Sequence, residues 1–161
     1  MRDNRSVWFF GISLLASGIV GCAGSTPPLV DELSSEARAV QSIEAPCSSS
    51  MRRDPVSIES ARLEGGHLLQ LQVRYGGGCR AHDFTLCWSG AFEASEPAGV
   101  SLSLGHDAHG DLCRAYLMED ITFDLSSLEK AYRAAYGESS SGQVSLHIQG
   151  LAERLPLSIE R

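Results

Sequence analysis

The chain has none of the short motifs that announce catalysis. There is no Gly-x-Ser-x-Gly elbow, no His-Glu-x-x-His helix, no Cys-x-x-Cys pair and no glycine-rich phosphate loop. Positive charge is also scarce: 13 Lys and Arg stand against 20 Asp and Glu, a formal net charge of −7. Nucleic-acid affinity rests on basic residues neutralising phosphates, so this balance argues against such a partner. No internal repeat is present. No strand–helix alternation calls for a wound parallel sheet. The amino-terminal apolar run, Val7 to Val20, is too short to span a bilayer securely.

That run belongs to a three-part leader. Arg2 and Arg5 make a positive start, the apolar stretch follows, and Ile19-Val20-Gly21-Cys22 closes it. A branched residue, a small residue and Cys at the end of a signal resemble the bacterial lipobox. The resemblance implies cleavage after Gly21, lipidation of Cys22 and a membrane held through several acyl chains. The simpler alternative is an ordinary secretory signal that contains a cysteine. Ala23 in place of Asp after that cysteine points to the outer membrane, by the sorting pattern of enteric bacteria. On either reading the chain is exported and disulfides are permitted. Removing residues 1–21 leaves 161 − 21 = 140 residues, enough for one core, and a charge of 11 − 19 = −8.

Residues 22–55 have the composition of a tether, with Pro27, Pro28, Pro46, Pro55 and many serines. Within it Val30, Leu33, Ala37 and Val40 are spaced for a short amphipathic helix across Leu29 to Ile43, so the segment is either spacer or docked helix.

Residues 56–161 read as a β scaffold. His67 to Tyr75 alternates Leu69, Leu71, Val73 and Tyr75 against Gln70, Gln72 and Arg74, the pattern of a half-buried antiparallel strand. Val56 to Leu63 precedes it, with its alternation broken near Ser60 and a Gly65-Gly66 turn between. His82 to Trp88, Val100 to His106, Leu112 to Met118, Ile121 to Leu125, Val144 to Ile148 and Leu155 to Ile159 supply the remaining predicted strands. Leu128 to Tyr136 carries a helical pattern. So many short strands predict an all-β antiparallel sandwich of immunoglobulin-like architecture, with a small barrel as the alternative. Trp88 and Phe92 read as core and edge aromatics.

The chemistry concentrates between Gly76 and Cys113. Pairing strand 82–88 with strand 100–106 so that Trp88 opposes Val100 sets His82 against His106. The turn from Asp107 to Asp111 then returns Cys113 toward Cys79, and a one-residue slip would undo this gathering. Three readings follow. In the first, Cys79 bridges Cys113 and Cys47 bridges Cys87, although four mature cysteines allow three pairings and spacing does not choose. In the second, the cluster binds metal. Zinc would use Cys79, His82, His106 and Cys113, or His82, His106 and His109 with nearby carboxylates such as Asp111. In the third, Cys79, three residues from His82, is a nucleophile. The preferred expectation is the bridged one: a binding or structural module rather than an enzyme, without a required cofactor, with a membrane and an envelope protein as partners.

Gly77-Gly78-Cys79 through His82 and Phe84, then His106 through Asp111 to Cys113 and on to Phe123-Asp124-Leu125, resembles a group of bacterial exported proteins and lipoproteins. The likeness extends to the β-sandwich half of NigD-like lipoproteins and covers about residues 56–160. It implies a sandwich in the cell envelope and carries no activity to transfer. Cys47 and Cys87 stand outside the shared pattern.

Overall fold

The computed structural model describes residues 38–160. The leader, Cys22 and most of the Leu29 to Ile43 segment lie outside the described residues. Eight strands and one helix follow in chain order: β1 (Gln41–Ser42), β2 (Val56–Glu64), β3 (Leu68–Gly77), β4 (Asp83–Trp88), β5 (Ala98–Asp107), β6 (Ala115–Asp124), α1 (Ser126–Tyr136), β7 (Gly142–Ile148) and β8 (Arg154–Ile159). They form two sheets of four strands, ordered β1-β6-β3-β2 and β4-β5-β7-β8. The architecture is an all-β sandwich, as the strand pattern predicts.

The alternation explains the layering. Leu69, Leu71 and Val73 of β3 and Ile121 and Phe123 of β6 point inward, while the polar residues between them face out. From the other sheet Leu86, Leu102, Leu146 and Leu157 join the same core, all fully buried. Burying each such side chain is worth about 2 kcal/mol, so this core dominates the stability. After β6 the chain turns into α1. The Asp124 carboxylate accepts the backbone N–H of Ser126 at 2.8 Å and holds the helix start. Leu125 and Leu128 are fully buried and close this end of the sandwich.

Four features differ from the sequence reading. The sheets are mixed rather than purely antiparallel, because β1 runs parallel to β6 and β5 parallel to β7. After β5 the chain crosses to the other sheet as β6 and returns through α1, and alternation within a strand does not encode that direction. Secondly, the two strands expected at residues 112–118 and 121–125 are one strand, β6. The strand runs unbroken through the inward-facing Glu119, which Arg38 and Tyr75 bind (below). Thirdly, the tether does not extend to residue 55. Within 38–55, Gln41–Ser42 pairs with β6, Ile43 enters the core, and Glu44 exchanges backbone hydrogen bonds with Leu86 and Trp88. Two-residue pairing of this kind carries no periodic signal. Fourthly, the β4–β5 hairpin pairs Trp88 with Leu102 and Phe84 with His106. This is a two-residue shift from the expected register. An even shift keeps every side chain on its face, so the histidines still meet.

Candidate functional site

The site is the end of the sandwich opposite α1. β3 finishes there, β6 begins there, and the β4–β5 pair brings His82 and His106 to the same place. A Cβ at Gly77 would stand 2.5 Å from Nε2 of His82, so the imidazole needs a residue without a side chain at that point. The next residue, Gly78, has φ +113°, a conformation L side chains rarely adopt, and this turns the chain toward Cys79.

Both expected bridges are present: Cys79–Cys113 and Cys47–Cys87. The first closes the polar end. The second ties the incoming segment to β4 at Cys87, which is fully buried. Cys79 is therefore not a nucleophile in this structure, and Cys79 and Cys113 offer no thiolates. This removes the mixed Cys/His zinc set.

Asp111 is the hub beside the first bridge. Its carboxylate accepts the backbone N–H of Cys113 and of Cys79 at 2.8 Å each, that of Arg80 at 3.0 Å, and Nε2 of His82 at 3.2 Å. These donors, led by the Cys113 and Cys79 amides, hold its carboxyl well below the ordinary carboxylate range. Its side chain is 1% exposed. In turn, Nδ1 of His82 lies 2.8 Å from Nε2 of His106. Nδ1 of His106 faces the backbone carbonyls of Pro55 at 3.1 Å and Asp54 at 3.3 Å. Both rings are buried, at 3% and 1% exposure.

Counting protons defines the state of this chain of contacts. A carbonyl only accepts, so Nδ1 of His106 carries a hydrogen. The ionised Asp111 also accepts, so Nε2 of His82 carries one. The short contact between the rings needs one more. Every bond is made only when the two rings hold three protons on four nitrogens, which makes the pair one imidazolium. In that state the positive charge would sit against Asp111, the arrangement that lets a buried charge persist.

Aromatic and charged groups close the surroundings. Phe84 stacks on His106 with ring centroids 4.8 Å apart, and Tyr75 lies 4.7 Å from His82. The Tyr75 hydroxyl donates to Glu119 at 2.7 Å, and its pKa is pushed up to about 12 by burial and by that carboxylate. Arg38 binds the same Glu119 at 2.8 Å, donates to the carbonyl of His82 at 2.8 Å and caps the Phe84 ring at 5.1 Å.

His109 does not join the cluster. It is half-exposed and pairs with Asp83 at 2.7 Å. Among the described residues, the one group of three metal-type side chains with convergent donor atoms is Cys79, Asp111 and Cys113, two of which are bridged. The set His82, His106 and His109 is therefore not assembled, and all four nitrogens of the first two rings are engaged. Arg38, Tyr75 and Glu119 escaped the sequence reading. An inward charge at Glu119 in an otherwise regular alternation was the available signal. The Asp54 and Pro55 carbonyls had none, because backbone acceptors leave no mark on composition.

A disulfide-stapled β-sandwich with a buried histidine pair beside a carboxylate is the class these features define. No family model and no curated protein matches the chain. Solved structures do resemble it. A NigD-like immunity protein from Bacteroides caccae aligns with TM-score 0.53 and 18% identity over 73% of this chain and 58% of its own. A protein of unknown function, DUF1344, from Bacteroides vulgatus gives TM-score 0.44 at 14% identity, over 76% of this chain and 56% of its own. A Bacteroides fragilis protein provisionally described as a lipoprotein gives 0.47 at 13%, over 66% and 59%. The chain thus spans a little over half the length of these structures, and the first likeness supports the fold alone.

Proposed function

We propose that the chain is an exported bacterial cell-envelope lipoprotein, anchored by Cys22 in the outer membrane, whose sandwich is a binding or structural module for an envelope protein partner. The observation that carries this reading is cysteine accounting. Of five cysteines, four pair with one another in the folded domain, which leaves Cys22, at the end of the lipobox-like leader, as the fifth. Two disulfides suit an oxidising compartment. The buried histidines serve architecture in this reading, since Asp111, two carbonyls and each other take every ring nitrogen. The metal-binding alternative has no assembled set of His ligands among the described residues.

The test is to express the full chain in a Gram-negative host fed an alkyne-bearing fatty acid, beside Cys22→Ser. Labelling of the wild type alone, with recovery in the membrane fraction, is the expected result. An unlabelled wild type, or label retained in the variant, overturns the anchor.

A further inference from the structure

The outer strands of the two sheets are not guarded alike. β2 breaks register between Ile58 and Ser60 and exposes Glu59, Arg62 and Glu64. β4 is covered by the bridge from Glu44 to Cys87 and locked by Cys47. β8 carries Pro156, which has no N–H to offer, between Arg154 and Glu160. Bulges, charges, prolines and covering segments are the means by which proteins blunt sheet edges.

β6 carries fewer of these: its pairing with β3 has no bulge, it contains no proline, and its charges between Ala115 and Thr122 are Glu119 and Asp120. Among the described residues β1 covers only Phe123 and Asp124. The stretch from Ala115 to Thr122 is regular, paired on its other side with β3 without a break, and contains no proline or lysine. Its first outward side chains are Tyr116, 87% exposed, and Met118, 61% exposed, with Asp120 and Thr122 after them. Arg114 and Asp120 continue the same outward parity on either side of them. The outer row therefore reads positive, apolar, apolar, negative.

That order is self-complementary. We propose that β6 is the edge through which two copies of this chain pair, antiparallel about a two-fold axis through Leu117. This register sets Arg114 against Asp120 of the second copy, Tyr116 against Met118, and repeats both contacts by symmetry. Neither charge has an ion-pair partner in its own chain among the described residues, and Asp120 accepts only a 3.4 Å hydrogen bond from Gln72. Phe123 and Asp124 would oppose Asp111 and Gly110, which precede the strand. The Arg38–Glu119 ion pair belongs to the inner face. The product is one continuous sheet running from β2 through both β6 strands to the second β2, the strand-addition mode in which backbone hydrogen bonds give affinity and alternate side chains give choice of partner.

Sedimentation velocity on the full chain in detergent, over a micromolar concentration series, tests this. The wild type is expected to dimerise. Arg114→Asp and Asp120→Arg, each placing like charges opposite one another twice, are expected to weaken the dimer at least about tenfold. The double variant Arg114→Asp with Asp120→Arg restores the complementarity with its sign reversed and is expected to recover wild-type association to within about threefold. Both positions are exposed, so an unchanged thermal midpoint shows that the fold is intact. A wild type that stays monomeric, single variants that associate as well as it does, a double variant that fails to recover, or open-ended growth beyond a dimer each overturn the proposal.

Discussion

The two ends of the sandwich are closed by different chemistry. At one end Leu125 and Leu128 seal the layers with hydrocarbon delivered at the start of α1. At the other a disulfide, a carboxylate and two histidines do the same work with charge and hydrogen bonds. Apolar closure is indifferent to pH and redox state over the range in which the protein folds. Polar closure depends on both, because each buried group is tolerable only while its partner is present. The α1 end is therefore a constant of the fold, and the Cys79–Cys113 end is the conditional part.

The comparison can be broken from either side. The largest effect is expected from Leu128→Ala, which removes a fully buried side chain and should cost about 2–5 kcal/mol, equally at every pH and with or without reductant. Chemical denaturation under each condition checks it. Removing the polar staple with Cys79→Ala and Cys113→Ala should cost about 2–4 kcal/mol, since the bridge closes a loop with a sequence separation of 34. Unlike Leu128→Ala, this variant should be insensitive to any further loss at that end when reductant is added.

Asp111→Asn sharpens the contrast through pH. The folded carboxyl lies below its ordinary value of 3.8. Its contribution is therefore fully present above that value and is lost as pH falls beneath it. The variant should be less stable at neutral pH and show a flatter acid limb in thermal melts from pH 7 downward. An acid limb as steep as the wild type's contradicts this role. The smallest effect is expected from Tyr75→Phe, about 1.5–3 kcal/mol for a hydrogen bond to a charged acceptor. The phenol titrates at about 12 when folded against an ordinary 10.0, so its contribution is present below 10.0 and lost as pH rises through about 12. Of four tyrosines, the variant should lack the one whose tyrosinate absorbance develops last.

Much of this contrast was legible in the sequence. Alternation located β2, β3, β4, β5, β7 and β8, and the helical pattern located α1, because side chains on a half-buried sheet or helix must repeat with its period. The pairing of His82 with His106 survived an incorrect register, because the error was even. The join of two expected strands into β6 runs through Glu119, an inward-facing, partly buried charge bound by Arg38 and Tyr75. The docking of residues 38–55 was hidden for another reason. It rests on two paired residues, one buried side chain and backbone carbonyls, none of which repeats.

The central claim is that His82 and His106 form a closed, singly charged bridge between Asp111 and the Asp54–Pro55 backbone. Nuclear magnetic resonance of the folded chain with ¹⁵N-labelled histidine tests it most directly. Among five histidines, those two rings should together show three hydrogen-bearing nitrogens at neutral pH, with a scalar coupling across the contact from Nδ1 of His82 to Nε2 of His106. Two hydrogen-bearing nitrogens and no coupling would contradict it.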